Sequence, residues 1–234
     1  MSQTFQPYTP PRSAVSAAVD ARARFIVRTY NHLFGAIALF TLIEIGLFMS
    51  GLGEQIAAAM LGVNWLAVLG AFMVVSWLAS RVAHTAASKP AQYLALGGYV
   101  FAQALIFVPL LWMAQTYAPG AIQSAGLVTM VGFGGLTAVA FISKKDFSFL
   151  GAILKWVGIC ALLMIVGGVI FGFHLGTYFS VGMVAFAGAA ILYDTSNVLH
   201  HFPEDRYVGA ALELFASVAL MFWYVLRIFI SSRD

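Results

Sequence analysis

Charge is scarce in this chain. Lys, Arg, Asp and Glu make up 9% of its 234 residues and hydrophobic residues 62%, where an ordinary soluble domain carries roughly 25% and roughly 45–50%. So few ionisable groups do not cover a globule of this size, so a water-soluble domain is excluded; the mean hydropathy of +0.91 agrees. Cysteine is nearly missing. The single Cys160 rules out an intramolecular disulfide and any CxxC metal or redox pair, and its place in an apolar run reads as inert core. A dense basic stripe is also missing. The net charge of +3 is scattered between apolar segments, where membrane topology accounts for it, and no nucleic-acid partner is implied.

Catalytic motifs are lacking too. No GxSG, HExxH or HxxE falls within an apolar run, which removes a membrane serine protease or metalloprotease. The last apolar run has no Lys for a Schiff base. Tyr193-Asp194 has no Gly-x-Gly-Asp partner, because Gly51-Leu52-Gly53-Glu54 belongs to the opposite membrane surface. The chain reads as a non-enzyme that needs no cofactor. His200-His201 with Glu204 and Asp205 reads as a solvated loop rather than a metal site, and no firm metal site is expected.

What is present is a series of apolar runs. A spanning helix takes about 17–25 residues. Seven runs fit, at 31–50, 62–83, 91–115, 121–143, 149–172, 177–199 and 208–230. The expected fold is an all-α integral membrane bundle of seven transmembrane helices occupying 29–234. Residues 1–28 are expected to be a disordered, basic, cytoplasmic tail: they carry Pro7, Pro10, Pro11, Arg22, Arg24 and Arg28 and lack the apolar core of a cleaved signal peptide. Nine basic residues (Arg12, Arg22, Arg24, Arg28, Arg81, Lys89, Lys144, Lys145, Arg206) fall on one side and two (Arg227, Arg233) on the other. Lys155 snorkels toward the Lys144 end. Positive-inside places the N-terminus in the cytoplasm and the C-terminus outside. Gly168 and Gly172, and Gly182, Ala185, Gly188 and Ala189, are small enough for close helix contacts. Pro109 deprives the Leu105 carbonyl of its helical donor.

An acid inside a span is costly and points to function. Glu44 is expected to pair structurally with Arg227 at the outer depth. Asp194 and Glu213 lie at one depth on spans six and seven, which a short loop joins. Two carboxyls so placed do not both ionise cheaply, so they are expected to lie within hydrogen-bond reach, directly or through one water, and to share a proton near neutral pH. At about 100° per residue, Glu213, Ser217, Tyr224 and Arg227 form one stripe down span seven. That stripe marks span seven as a central, pore-facing helix, or else an interhelical seam without transport; Asn197 shares the face of Asp194. Arg81 reads equally as a latch on Asp194 or as a positive-inside anchor.

Three stretches resemble a known family. Lys144-Lys145-Asp146-Phe147-Ser148-Phe149-Leu150-Gly151 follows Gly134-Gly135-Leu136-Thr137-Ala138; Tyr193-Asp194-Thr195 closes span six; Ala211-Leu212-Glu213-Leu214-Phe215 opens span seven. Together they are similar to the bacterial branch of the Bax inhibitor family over about residues 25–230. The resemblance implies a pH-sensitive cation leak, chiefly of calcium, gated by acids on spans six and seven with an arginine of span two as latch, here Asp194 and Arg81. The family's seventh-span aspartate falls where Ser217 stands, and Glu213 lies one turn earlier. A calcium site at Asp194 and Glu213 would be weak, since tight sites take 6–8 oxygens. The resemblance also implies an alternative: a partner, substrate or modulator of the membrane-bound AAA quality-control protease, without transport. Either way the chain belongs in a bacterial inner membrane, with the bilayer as its constant partner and its oligomeric state open.

Overall fold

The computed structural model describes residues 12–232, with side chains from Ser16 onward. Within them the chain forms α1 (Arg12–Met49), α2 (Leu52–Leu61), α3 (Trp65–Thr85), α4 (Lys89–Tyr117), α5 (Ala121–Ser143), α6 (Leu150–Phe171), α7 (Thr177–His200) and α8 (Tyr207–Ser231). All but α2 are long and apolar enough to cross a membrane.

The breaks have local causes. Gly51, Gly120 and Gly172 take φ of 75°, 83° and 74°, a left-handed turn that costs glycine little. Asn64 starts α3 by accepting the Leu66 amide at 2.8 Å, and Ser88 caps α4 ahead of Pro90 in its first turn. Lys144 ends α5 at φ 51°, the one described non-glycine residue with positive φ.

Helix α8 is the axis of the bundle, packed against α1, α3, α4, α5 and α7. Its buried residues surround the helix, from Val208 and Ala211 through Phe215 to Leu226, as a helix apolar on every side requires. Helix α6 is the opposite case. It packs chiefly on α7, meets α3 lightly and does not reach α8. Its only buried residue is Ala161, and Ile153, Trp156, Ile159, Leu163 and Phe171 face outward. In water that surface would be untenable; in lipid it is the ordinary outer face of a bundle.

Two expectations about elements are corrected. Residues 12–28 are helical and continue into the first span. Ala14, Ala17, Ala18 and Ala21 lie between Arg12 and Arg22, alanine and arginine both being strong helix formers, and tertiary contacts fix the result: Phe25 is buried and Arg22 donates to the Phe202 carbonyl at 2.7 Å. The rest of the expected tail, residues 1–11, lies outside the described residues. The Gly168–Gly172 pair is not a helix seam. Gly172 is the left-handed residue that ends α6, and a Cβ on Gly168 would meet the Phe173 carbonyl of the same hairpin at 3.1 Å. Gly182 has nothing close, whereas a Cβ on Gly188 would meet Leu136 of α5 at 3.2 Å, so of these residues Gly188 is the close-packed one. The unexpected helix is α2, which Gly51 and Gly53 conceal in the sequence. Helix α4 runs unbroken through Pro109.

Candidate functional site

Asp194 sits on the inward face of α7 and is buried. Its partner comes from α8: the Ser217 hydroxyl donates to Asp194 Oδ2 at 2.6 Å. Glu213, one turn earlier, faces α3. Its Oε1 lies 3.0 Å from His84 Nε2. The expected direct bond between Asp194 and Glu213 is therefore corrected: each carboxyl has its own partner.

The His84 contact carries a proton count. The other ring nitrogen, Nδ1, is 2.7 Å from the Ser80 carbonyl, and a carbonyl only accepts, so Nδ1 carries a hydrogen. A neutral ring then turns a bare lone pair toward the Glu213 carboxylate. Two lone pairs at 3.0 Å repel. The close approach requires one proton more, either on the imidazole or on the carboxyl. The contact is close but not aligned as a hydrogen bond. Gly209 makes room for it, since a Cβ there would meet the Ala83 carbonyl at 3.1 Å and His84 Nε2 at 3.2 Å.

Arg81 does not latch Asp194. It lies on the outer face of α3, exposed, with its guanidinium 5.3 Å from the Trp77 ring. Position 81 points away from α8 and position 84, three residues on, points to it. Of its two sequence readings, the structure leaves the surface anchor. His84 was missed because a lone histidine at a helix end reads as a polar terminus.

A cavity of about 740 Å³ lies between α6 and α8, with walls also from α3, α4 and α7. Ser217, Tyr224 and Arg227 line it, so three of the four stripe residues share one space. Glu213 does not line it, and neither does Asn197, whose carbonyl instead accepts the His201 and Phe202 amides as α7 ends. The cavity runs from Arg227 and His174 at one end of the bundle down to Ser217, and stops one hydrogen bond from Asp194. Arg227 does not pair with Glu44. It donates to the Leu175 carbonyl at 3.2 Å, and both Glu44 carboxyl oxygens are buried without a hydrogen bond.

The opposite, basic end is tied shut. Arg206 donates to the Ala86 carbonyl at 2.7 Å, Gln92 donates to the same oxygen at 2.9 Å, and Lys89 donates to the Asp205 carbonyl while resting 4.3 Å from the Tyr207 ring centre. These contacts join the α3–α4 turn to the α7–α8 turn directly below His84 and Glu213. The α5–α6 turn is tied as well. Asp146 accepts the Ser148 amide at 2.8 Å and meets His201 at 2.9 Å. The amide first, then the Ser148 and His201 side chains, hold the Asp146 carboxyl down to about 2. His201 is thus engaged by an acid 55 residues away. Among the described residues no three His, Cys, Asp or Glu side chains gather as a metal site.

The Lys144–Gly151 and Tyr193–Thr195 stretches meet in space: a Cβ on Gly151 would come within 2.8 Å of the Tyr193 ring, and Ser196 Oγ accepts the Phe147 amide at 2.8 Å. On the far side of Asp194, the Tyr30 phenol of α1 faces Thr195 and Thr137.

A bundle of seven apolar spans, one of them central, with acids held in its middle, defines a polytopic helical membrane protein. The chain belongs to the Bax inhibitor family: the family model described as Inhibitor of apoptosis-promoting Bax1 matches residues 22–234. It is 33% identical over 148 residues to Protein LIFEGUARD 4 of Arabidopsis thaliana, covering 60% of this chain and 58% of that one. It is 35% identical over 111 residues to an uncharacterized protein of Pseudomonas aeruginosa, covering 46% and 49%. It is 26% identical over 219 residues to Protein lifeguard 4 of Mus musculus, covering 91% and 87%. The chain spans about half the length of the first two.

Proposed function

We propose that this protein is a proton-controlled cation leak, calcium being the ion, with Asp194 as its gate. The observation that carries the reading is the cavity that reaches from Arg227 to Ser217, whose hydroxyl holds Asp194. An acid at the blind end of a cavity is placed to meet an ion from one side and a proton-dependent contact on the other. The basic end is the cytoplasmic one in a bacterial inner membrane, by the positive-inside bias. There the route is closed by the ties among Ala86, Arg206, Lys89 and Asp205.

Proton loss drives the change. With Asp194 and Glu213 both ionised, like charges face each other across the seam of α7 and α8, at a cost on the order of a few kcal/mol for an effective dielectric near 20. The proton between His84 and Glu213 offsets that charge and holds α3 against α8. Removing it frees both seams, and a two-state bundle with a gap of this size shifts toward opening. The oxygens near Asp194 fall short of the 6–8 of a tight calcium site, which suits a passing ion.

The test is calcium flux into proteoliposomes of the purified protein across pH. A rise in flux with pH that Asp194→Asn abolishes supports the leak. No flux at any pH, together with changed turnover of membrane-protease substrates in cells lacking the protein, overturns it in favour of a partner, substrate or modulator of the membrane-bound AAA protease.

A further inference from the structure

The same cavity has a second property that ion passage leaves unused. Its walls are largely aliphatic and aromatic, among them Trp65, Phe72, Ile106, Leu220 and Trp223. A lone dication gains nothing from such walls. Among the described residues no carboxylate lies within ion-pair distance of Arg227; its contacts are the Leu175 carbonyl at 3.2 Å and the Tyr224 ring at 6.0 Å. That leaves guanidinium donors free for an anionic head.

We propose that the cavity binds a long-chain fatty acid: the carboxylate sits on Arg227 and the chain follows the apolar walls. The volume of about 740 Å³ lies within the range of roughly 300–1,000 Å³ usual for small-molecule sites. Along α8 the ten residues from Arg227 to Ser217 span about 15 Å, a length that part of such a chain covers. The thin contact between α6 and α3 gives a side entrance from the bilayer. The proposal deepens the leak reading, because an acyl chain in the cavity blocks the approach to Asp194; binding itself does not require that any ion passes.

The experiment reads binding and not flux. Trp65 and Trp223 face the cavity, with ring centres 6.2 Å apart. In a protein carrying Trp77→Phe, Trp112→Phe and Trp156→Phe, held in nanodiscs of neutral phosphatidylcholine, 9,10-dibromostearate is titrated as a quencher and then displaced. The expected result is saturable quenching, displaced by stearate. Arg227→Gln should raise the midpoint about tenfold or more, the loss of one charge-assisted contact. Ala161→Phe, which fills the cavity, should abolish saturation. Quenching that never saturates, or is unchanged in Arg227→Gln and Ala161→Phe, overturns the site. Displacement by lysophosphatidate but not by stearate overturns the ligand class. A failed leak with saturable quenching leaves this proposal standing.

Discussion

Three residue positions separate Arg81 from His84, and that step decides which side chain reaches α8. Position 81 looks outward to Trp77, and position 84 meets Glu213 at 3.0 Å. If His84 and Glu213 hold the proton that closes the bundle, His84→Gln should raise calcium flux at acidic pH toward the level the wild type reaches at high pH, and Arg81→Gln should leave the pH profile in place. Both are read from flux in proteoliposomes; the reverse pattern would return the latch to Arg81. Asp146 gives an acid-stability prediction with a fixed sign. Its carboxyl is held down to about 2, below an ordinary unfolded value of roughly 3.9. Its contribution is present above the unfolded value and lost as pH falls through the folded one. Asp146→Asn should therefore flatten the fall in melting temperature between about pH 4 and pH 2, seen by scanning fluorimetry in detergent. Gly151 is also a residue-scale requirement. Gly151→Ala should destabilise the protein by about 1–3 kcal/mol, because the Tyr193 ring must leave its place 2.8 Å from the new carbon; an unchanged denaturation midpoint would refute this. Asp194 and Ser217 were legible as candidates from depth and from spacing along one face. Their hydrogen bond was not, because an acid and a serine facing each other across two helices leave no periodic trace. The partner of Glu213 was hidden for a related reason: it comes from a third helix, about 130 residues earlier in the chain.

At the scale of elements, the long apolar runs were plain from the sequence, since hydrocarbon thickness alone sets their length. The elements that hydropathy does not encode were not. The arginines of residues 22–28 made the start of α1 read as a tail, yet Ala-rich sequence and the seating of Phe25 beside Phe202, with ring centres 6.5 Å apart, keep it helical. Helix α2 was masked by glycine at its start. The Gly168–Gly172 spacing imitated a packing motif where one of the two glycines serves to end a helix. The end of α5 offers a test of backbone cost. Lys144 holds φ 51°, a conformation that costs a non-glycine residue on the order of 1 kcal/mol or more. Lys144→Gly should therefore stabilise the turn by up to about 1 kcal/mol, measured as a shift in thermal midpoint; a loss of stability would mean that the lysine side chain contributes more than its backbone costs.

For the molecule as a whole, the arrangement is a central helix with partners on five sides and one loosely attached helix, α6. That asymmetry creates the cavity, because α6 stands off α8 and leaves the space between them to be lined by Gly158, Gly168 and the polar stripe of α8. The sequence placed α8 at the centre through its stripe. The offset of α6 was not readable, since its residues are apolar all round whether they face lipid or protein. The cavity reaches Arg227 at one end and Ser217, which holds Asp194, at the other, with the loop ties beyond. The measurement that tests this account most directly is calcium flux against pH in proteoliposomes, wild type beside Asp194→Asn. The account predicts a flux that rises with pH in the wild type and loses that dependence in Asp194→Asn. A pH profile with the same midpoint in both proteins would contradict it.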